Sequence, residues 1–327
     1  MVSYAKVILP RWRGRGETDL AELRSEITNW AASTAMRDLV ECFEEKWPSG
    51  DTGALLAGLE EISARCWDFR GGGERVAALT REFAEGVTER VHATAAALGL
   101  RHHNIPAERS YDHVLIHGGL LRGCLIRAGY AATLLDGTID TAETCGLGSF
   151  RPATEMEKAL ASRLAVGECL DEFGAMDIAL RAAFAGALPE RENGNVVADK
   201  PHVSFLTREY RTPNGSRLRV LAAPSSDPSR RANTADTCTF WADSVARPRP
   251  GQKILLVTTE HFVPFQHADA IRVLGIPYGC AVETIGVDPA AVPNEQLRQQ
   301  LTTVNYLQET RSAVRSMQFL YSTVHDR

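Results

Sequence analysis

Apolar residues recur three and four positions apart from about Asp19 to Leu98, in LAELRSEITNWA, MRDLVECFEEKW, GALLAGLEEISARCW and ERVAALTREFAEGVTERVHATAAAL. Such spacing gathers them on one helix face and predicts an amino-terminal region of four helices. Asp51 and Thr52 suit the cap of the third helix, Gly71, Gly72 and Gly73 separate the third from the fourth, and Gly99 suits a stop. Beyond Tyr111 the period changes. Val114–Ile116 reads as a strand, Gly118 and Gly119 as its turn, and Leu120–Leu135 as a helix. A second strand is expected around Thr144–Leu147, then the turn GSFRPATEME, a helix from about Glu155, and another through CLDEFGAMDIALRAAFAGAL. The polar, breaker-rich stretch Pro189–Pro201 reads as a loop.

HVSFLTREY and SRLRVLAAPS alternate apolar and polar residues around Pro213, Asn214 and Gly215, which predicts a hairpin or two successive strands. A helix is expected over about Thr234–Val245, a strand at Ile254–Val257, and a helix over about Gln266–Leu274. The strand CAVETIGV and a closing helix through LRQQLTTVNYLQETRSAVRSMQFLY complete the pattern. Strands alternating with helices predict a mostly parallel sheet with helices on both faces, an α/β class of Rossmann-like, three-layer α/β/α type. The expected division is a helical region, residues 1–108, and an α/β ligand-binding domain, residues 109–327.

Composition narrows the function classes. A formal net charge of -5 and dispersed basic residues argue against nucleic-acid binding, and the runs near Arg11–Arg15 and Arg230–Arg231 read as solvated surface. No apolar run approaches the roughly 20 residues of a bilayer span, and the amino terminus lacks signal-peptide grammar, so no membrane role and a cytoplasmic setting are expected. Seven scattered cysteines without a C-x-x-C pair fit reduced thiols, not a disulfide framework or zinc site. The excess of arginine and alanine reads as the codon bias of a GC-rich bacterial genome, a statement about source and not chemistry.

Candidate chemistry collects after the strands. Gly118 and Gly119 permit a tight turn whose following amides, with Arg122, could face a phosphate or carboxylate, although G-x-G-x-x-G is not reproduced. Asp136 and Asp140 lie at roughly the sequence distance of a ribose-binding acid. Ser149 and Arg151 follow the second strand, where Arg151 could grip an anion in a fork. Glu155 and Glu157 open the next helix and complement its dipole. Asn233, Thr234 and Asp236 begin a helix, one of them as its cap, and offer polar ligand contacts. Thr258, Thr259, Glu260 and His261 crowd the end of the later strand, where Glu260 or His261 suits proton transfer and Asp236 is a third catalytic candidate. Gln266 and His267 could complete the pocket. His261 and His267 are six apart, which disfavours a shared metal. Asp171, Glu172, Met176 and Asp177 read as part of a helix with a solvated acidic face. The chain lacks a G-x-S-x-G elbow and a G-x-x-x-x-G-K-[ST] loop, and Cys124, Cys145 or Cys238 could be nucleophiles only beside a base.

The motifs HGG at His117–Gly119, NTAD at Asn233–Asp236 and LLVTTEH at Leu255–His261 resemble the SanA/YdcF-like domain of bacterial proteins. The resemblance covers roughly Asp112–Val287 and implies a Rossmann-like fold with a ligand pocket at the carboxyl ends of the strands. At least one member binds S-adenosylmethionine, which makes that molecule or another nucleotide-like ligand the implied cofactor. This chain departs from the pattern where relatives carry Arg-Ala soon after the histidine, having Val263, Pro264, Phe265, Gln266 and His267, and it has Asp236 where Glu is common. The expected function is a transferase or hydrolase acting on an anionic, nucleotide-like small molecule. A non-catalytic binding module, with the long helices as partner or homo-oligomer surface, and a thiol-dependent enzyme are the alternatives.

Overall fold

The computed structural model describes residues 2–69, 81–101, 105–185, 187–212 and 215–325. Four helices open the chain: α1 (Glu17–Ala31), α2 (Thr34–Cys42), α3 (Thr52–Cys66) and α4 (Glu85–Ala97). Capping fixes their starts. Ser33 accepts from the amide of Met36, and Asp51 accepts from that of Ala54 at 2.9 Å. Gly99, with φ +91°, follows α4 in the left-handed region expected of a helix stop. The glycines at 71–73 lie outside the described residues, and the expected fourth helix begins only at Glu85, since 81–84 are not helical.

The remainder is α/β. Strands β1 (Ser110–Ile116), β2 (Asp140–Gly148), β3 (Leu188–Asn195), β4 (Phe205–Arg211), β5 (Arg217–Ala222), β6 (Lys253–Thr259) and β7 (Ala281–Val287) form one sheet in the order β3-β4-β5-β2-β1-β6-β7. The five strands from β5 to β7 in that order are parallel, while β3 and β4 run antiparallel at one edge. Between them lie α5 (Leu121–Leu135), α6 (Glu155–Leu164), α7 (Glu172–Ala183), α8 (Thr234–Phe240), α9 (Val263–Ala270), α10 (Ile276–Tyr278) and α11 (Thr303–His325). Both α8 and α9 run on into a wider π turn, at 241–246 and 271–275.

Strand alternation sorts the core. Val114, Ile116, Leu255 and Val257 pack with α5 and α7, whereas Leu115, Ile254 and Leu256 pack on the opposite side. That second cluster is continuous with Trp30 and Trp67 of the amino-terminal region and with Leu307, Val314 and Met317 of α11. The four helices therefore share a core with the sheet.

Three expectations need correction. The stretch from Pro189 is not a loop: residues 188–195 form β3, which pairs with β4 along its backbone and is exposed throughout. With no buried face it carries no apolar alternation, and Pro189 is tolerated near the start of an edge strand. The closing helix starts at Thr303, after a short 3₁₀ turn at Glu295–Leu297, not at Leu297. Asp177 and Met176 are not a solvated face. Asp177 is buried, accepting from Arg208 at 2.6 Å and from the Tyr210 hydroxyl, and Met176 lies against Gly146. Arg11, Arg13 and Arg15 are surface residues as expected, tied to Glu26, Glu22 and the buried Asp19 of α1.

A buried charged ladder crosses four strands. His113 Nδ1 lies 3.1 Å from Glu143, Glu143 pairs with Arg219 at 2.6 Å, and Arg219 pairs with Glu209 at 2.7 Å. Burial opposes ionisation of Glu143, but the His113 hydrogen bond and the Arg219 charge outweigh it and hold the carboxyl below its usual range. Glu143→Ala should therefore cost about 3 kcal/mol at neutral pH, because Arg219 and His113 lose their shared partner inside the fold. A depressed folded pKa stabilises only above the unfolded value, so the deficit should shrink as pH falls below about 4. Urea denaturation of both proteins at pH 7 and pH 3.5 measures it.

Candidate functional site

The sheet order places β1 at a topological switch: the chain leaves β1 for β2 on one side and returns as β6 on the other. Crevices at the carboxyl ends of strands flanking such a point are where open parallel sheets admit ligands. Ile116 is level with Gly146 of β2 and Val257 of β6, so the turns after these three strands meet at one rim.

The turn after β1 is held from behind by two arginines. Arg127, buried on α5, donates to the carbonyls of His117 (2.9 Å) and Gly118, and to Thr259 Oγ1 at 3.2 Å. Arg151 donates to the Gly119 carbonyl at 3.3 Å. No peptide here is cis, so in each peptide unit the N–H points opposite to the carbonyl that an arginine binds. Among the described residues, the N–H groups of Gly118, Gly119 and Leu120 donate to no other group. Three successive unbonded amides are donors available to an anion. Gly118 admits no side chain: a Cβ would lie 2.3 Å from the Leu147 carbonyl oxygen and 2.9 Å from Glu172 Oε1.

Ser149 and Glu172 stand beside that turn. The Ser149 hydroxyl, almost fully buried, donates to Glu172 Oε2 at 2.5 Å. Their registration is fixed by backbone bonds, Phe173 N–H to Ser149 O (3.0 Å) and Glu172 N–H to Arg151 O (2.9 Å). Burial raises the Glu172 carboxyl above its usual range, opposed by the Ser149 hydroxyl and by the charges of Arg151, Arg231 and Arg127. Arg151 grips Glu157 bidentately, at 2.9 and 3.1 Å. Glu157 also accepts from Leu121 N–H at 3.0 Å and closes a capping box with Thr154. Its carboxylate thus sits at the first turn of α5, so an external anion is met by the amides before the helix, not by the helix itself.

At the end of β6, Arg127 binds Thr259, while Thr258, Glu260 and His261 are buried. Burial, with Asp288 nearby, pushes the Glu260 carboxyl up to about 7, against the pull of Arg101. Tyr306 of α11 shares this neighbourhood and lies under the Arg101 guanidinium, 5.6 Å from ring centroid to Cζ. Burial and Arg127 hold His117 down to about 3, so its imidazole is neutral. Among the described residues, His117 Nε2, Thr258 Oγ1 and Gln266 Oε1 are buried without a hydrogen-bond partner.

Other expected residues are committed to structure. Arg122 turns away from the glycine turn and donates to the Gln296 carbonyl at 2.7 Å, so it is not beside the free amides. Asn233 and Asp236 form a reciprocal capping box at the start of α8, with Thr234 as its first residue. Asp236 is further bound by Arg230 and the Ser226 amide, and although burial opposes it, these contacts keep it ionised below the usual range. A carboxylate so engaged is a poor base. His267 is a structural bridge between Thr284 Oγ1 (3.0 Å) and the Pro10 carbonyl (2.7 Å). Asp140 begins β2, at the opposite end of that strand from Ser149. Among the described residues no group of histidines, cysteines and carboxylates is arranged to hold a metal. Sequence reasoning missed Arg127 and set Glu172 on a solvated face. A charge among Cys124, Ala128 and Ala131 on the apolar stripe of α5 was the available signal for Arg127.

A family model described as the Rv3785 N-terminal domain matches residues 14–99, the stretch that carries α1 to α4. The chain is 29% identical over 334 positions to uncharacterized protein Rv3785 of Mycobacterium tuberculosis strain H37Rv and to uncharacterized protein Mb3814 of Mycobacterium bovis. Each match covers 94% of this chain and 92% of the relative. No solved structure matches.

A carboxyl whose folded pKa exceeds its unfolded value binds more protons when folded, so it lowers stability as pH rises between the two values. Glu260→Gln should match the parent at pH 4, gain through pH 4.5–7, and exceed it by on the order of 2 kcal/mol at pH 8. Chemical denaturation midpoints at the two extremes check this.

Proposed function

We propose that this protein binds an anionic, nucleotide-like small molecule at the carboxyl rim of the sheet and transfers or hydrolyses one of its groups. The three unbonded amides of Gly118, Gly119 and Leu120, backed by two guanidinium groups, carry this reading. Backbone donors fixed in this way recognise phosphate or carboxylate without reorganising. The contacts proposed earlier for Gly118, Gly119, Ser149 and Arg151 remain, and Arg127 replaces Arg122. Glu260, with His261 beside it, is the proposed proton-transfer group, because a carboxyl near pH 7 can both give and take a proton.

The fold is proposed to be Rossmann-like and three-layered, supported by α5 and α7 on one face and by α8, α9 and α11 on the other. The resemblance to SanA/YdcF-like proteins favours S-adenosylmethionine among nucleotide-like ligands, with its carboxylate at the free amides. Among the described residues no helix is long and apolar enough to cross a membrane, and the seven cysteines are free thiols; a cytoplasmic site of action is proposed with them. A thiol-dependent reaction is disfavoured. Burial raises every cysteine thiol, Cys124 and Cys238 to about 12 and Cys169 and Cys280 to about 11, which leaves little thiolate at neutral pH.

Titration of ¹⁵N-labelled protein with sulfate, AMP and S-adenosylmethionine tests the ligand class. The amide resonances of Gly118, Gly119 and Leu120 should move saturably, with AMP or S-adenosylmethionine displacing sulfate. Resonance changes confined to other regions would refute the site, and native mass spectrometry of freshly purified protein gives an independent check through a co-purified anionic mass. If a ligand binds and no turnover follows, the protein is a binding module, and the homo-oligomer surface of its helices becomes the alternative output.

A further inference from the structure

We propose that Ser149 is a nucleophile, with Glu172 as its base and the amides of Gly118, Gly119 and Leu120 as the cradle for charge developing on the electrophile. The inference rests on the anion-binding reading of those amides and adds a covalent step to it. Four observations converge. The hydroxyl hydrogen of Ser149 is directed at Glu172 Oε2 over 2.5 Å, the contact a base needs to remove it. Glu172 Oε1 lies 2.9 Å from where a Cβ on Gly118 would stand, so the carboxylate borders the glycine turn with no side chain between them. Two backbone hydrogen bonds between the Ser149–Arg151 turn and the first residues of α7 hold serine and carboxylate in register before any ligand arrives. Finally, Arg127 and Arg151 occupy the carbonyls of the glycine turn and leave its amides as donors, the arrangement that stabilises an oxyanion in acyl or phosphoryl transfer.

Sequence gave no hint of this. Ser149 follows β2 in G-L-G-S-F, outside the G-x-S-x-G elbow, and no histidine is its hydrogen-bond partner. A carboxylate suffices as base only where burial and fixed geometry raise its proton affinity, and Glu172 is half-buried against the turn. In the proposed step Ser149 Oγ forms a bond to the acyl carbon or phosphorus while its proton passes to Glu172 Oε2. The bond from that centre to the leaving group breaks, and the leaving group takes up the proton from Glu172. Water then attacks the serine ester and passes a proton to Glu172; the bond from the acyl carbon or phosphorus to Ser149 Oγ breaks, Oγ takes that proton back, and the free acid leaves.

The test uses the full chain and two probes of different size, phenylmethanesulfonyl fluoride and an alkyl fluorophosphonate. Each reacts by forming a bond from serine oxygen to sulfur or phosphorus with loss of fluoride. Peptide mass spectrometry should find the adduct on Ser149 at one site per chain, absent in Ser149→Ala. Glu172→Gln, which keeps the size and the hydrogen bond to Ser149 but accepts no proton, should slow labelling at least about ten-fold. The labelling rate of the parent should rise as pH passes through the carboxyl's ionisation, and that rise should vanish in Glu172→Gln. Circular dichroism and urea midpoints establish that both variants fold; if Glu172→Gln does not, Glu172→Asp, one methylene too short to reach, replaces it with the same expectation. Failure of both probes to label Ser149, or labelling at an equal rate in the carboxylate variant, overturns the inference. Movement of the Gly118–Leu120 amides with sulfate but no serine adduct removes the covalent step and keeps the anion site; an adduct without anion binding keeps Ser149 and Glu172 as nucleophile and base but removes the anion site and, with it, the amide cradle.

Discussion

The rim of this sheet depends on two guanidinium groups, one buried and one half-buried, bound to backbone carbonyls. Arg127 and Arg151 take the oxygens of His117, Gly118 and Gly119, and each does so from an element other than the turn itself. Because the peptide group is planar and trans, fixing the oxygens also fixes the hydrogens, and the amides of 118–120 face the other way. A glycine-rich turn left to itself would sample many conformations. Here its conformation is set by residues of α5 and of the β2–α6 loop, which are in turn held by packing and by the Arg151–Glu157 fork. Removing Arg127 would take the donor from both the His117 and Gly118 carbonyls and release the turn, a larger effect than the loss of a single contact.

Glu157 shows how the same construction limits the site. The first turn of a helix after a glycine bend ordinarily attracts anions, and the sequence suggested as much for α5. The protein supplies that anion itself: the Glu157 carboxylate binds the Leu121 amide, the Thr154 cap and Arg151 together. The charge of Arg151 is largely spent on it. The donors left without an acceptor are therefore the amides that precede the helix.

The parallel part of the fold was legible because its strands are buried on both faces and its helices carry apolar stripes; β1, α5, β2 and β6 fall within a few residues of their expected bounds. Strand β3 was not legible, since a strand exposed on both sides has no hydrophobic period to detect. Among the candidate residues, Gly118, Ser149 and Glu260 stand just after the ends of β1, β2 and β6, as position alone suggested. Roles were harder. Asp236 and His267 have the chemistry of catalysts, yet Arg230 claims one and Thr284 with the Pro10 carbonyl claims the other. Which polar groups are already satisfied is a property of tertiary contacts between positions as far apart as Pro10 and His267, and spacing along the chain does not encode it.

Burial alone does not decide what a carboxyl at this rim does; its charged neighbours do. Glu172 and Glu260 both have their proton affinity raised by loss of solvent. Around Glu172 three guanidinium groups and the Ser149 hydroxyl favour the ionised form, whereas Glu260 has Asp288 against it and Arg101 as its counterweight. Both carboxyls are raised, but on either side of β1 they answer to different charged neighbours, cations around the one and a carboxylate with a single cation around the other. Their placement follows from topology: Glu172 enters beside β2 and Glu260 follows β6, the two strands that flank β1 at the switch point. A molecule held by amides of the intervening turn would have one carboxyl to each side. The amino-terminal region reaches this arrangement through Arg101, which follows α4 and lies two residues beyond the stretch matched by the family model.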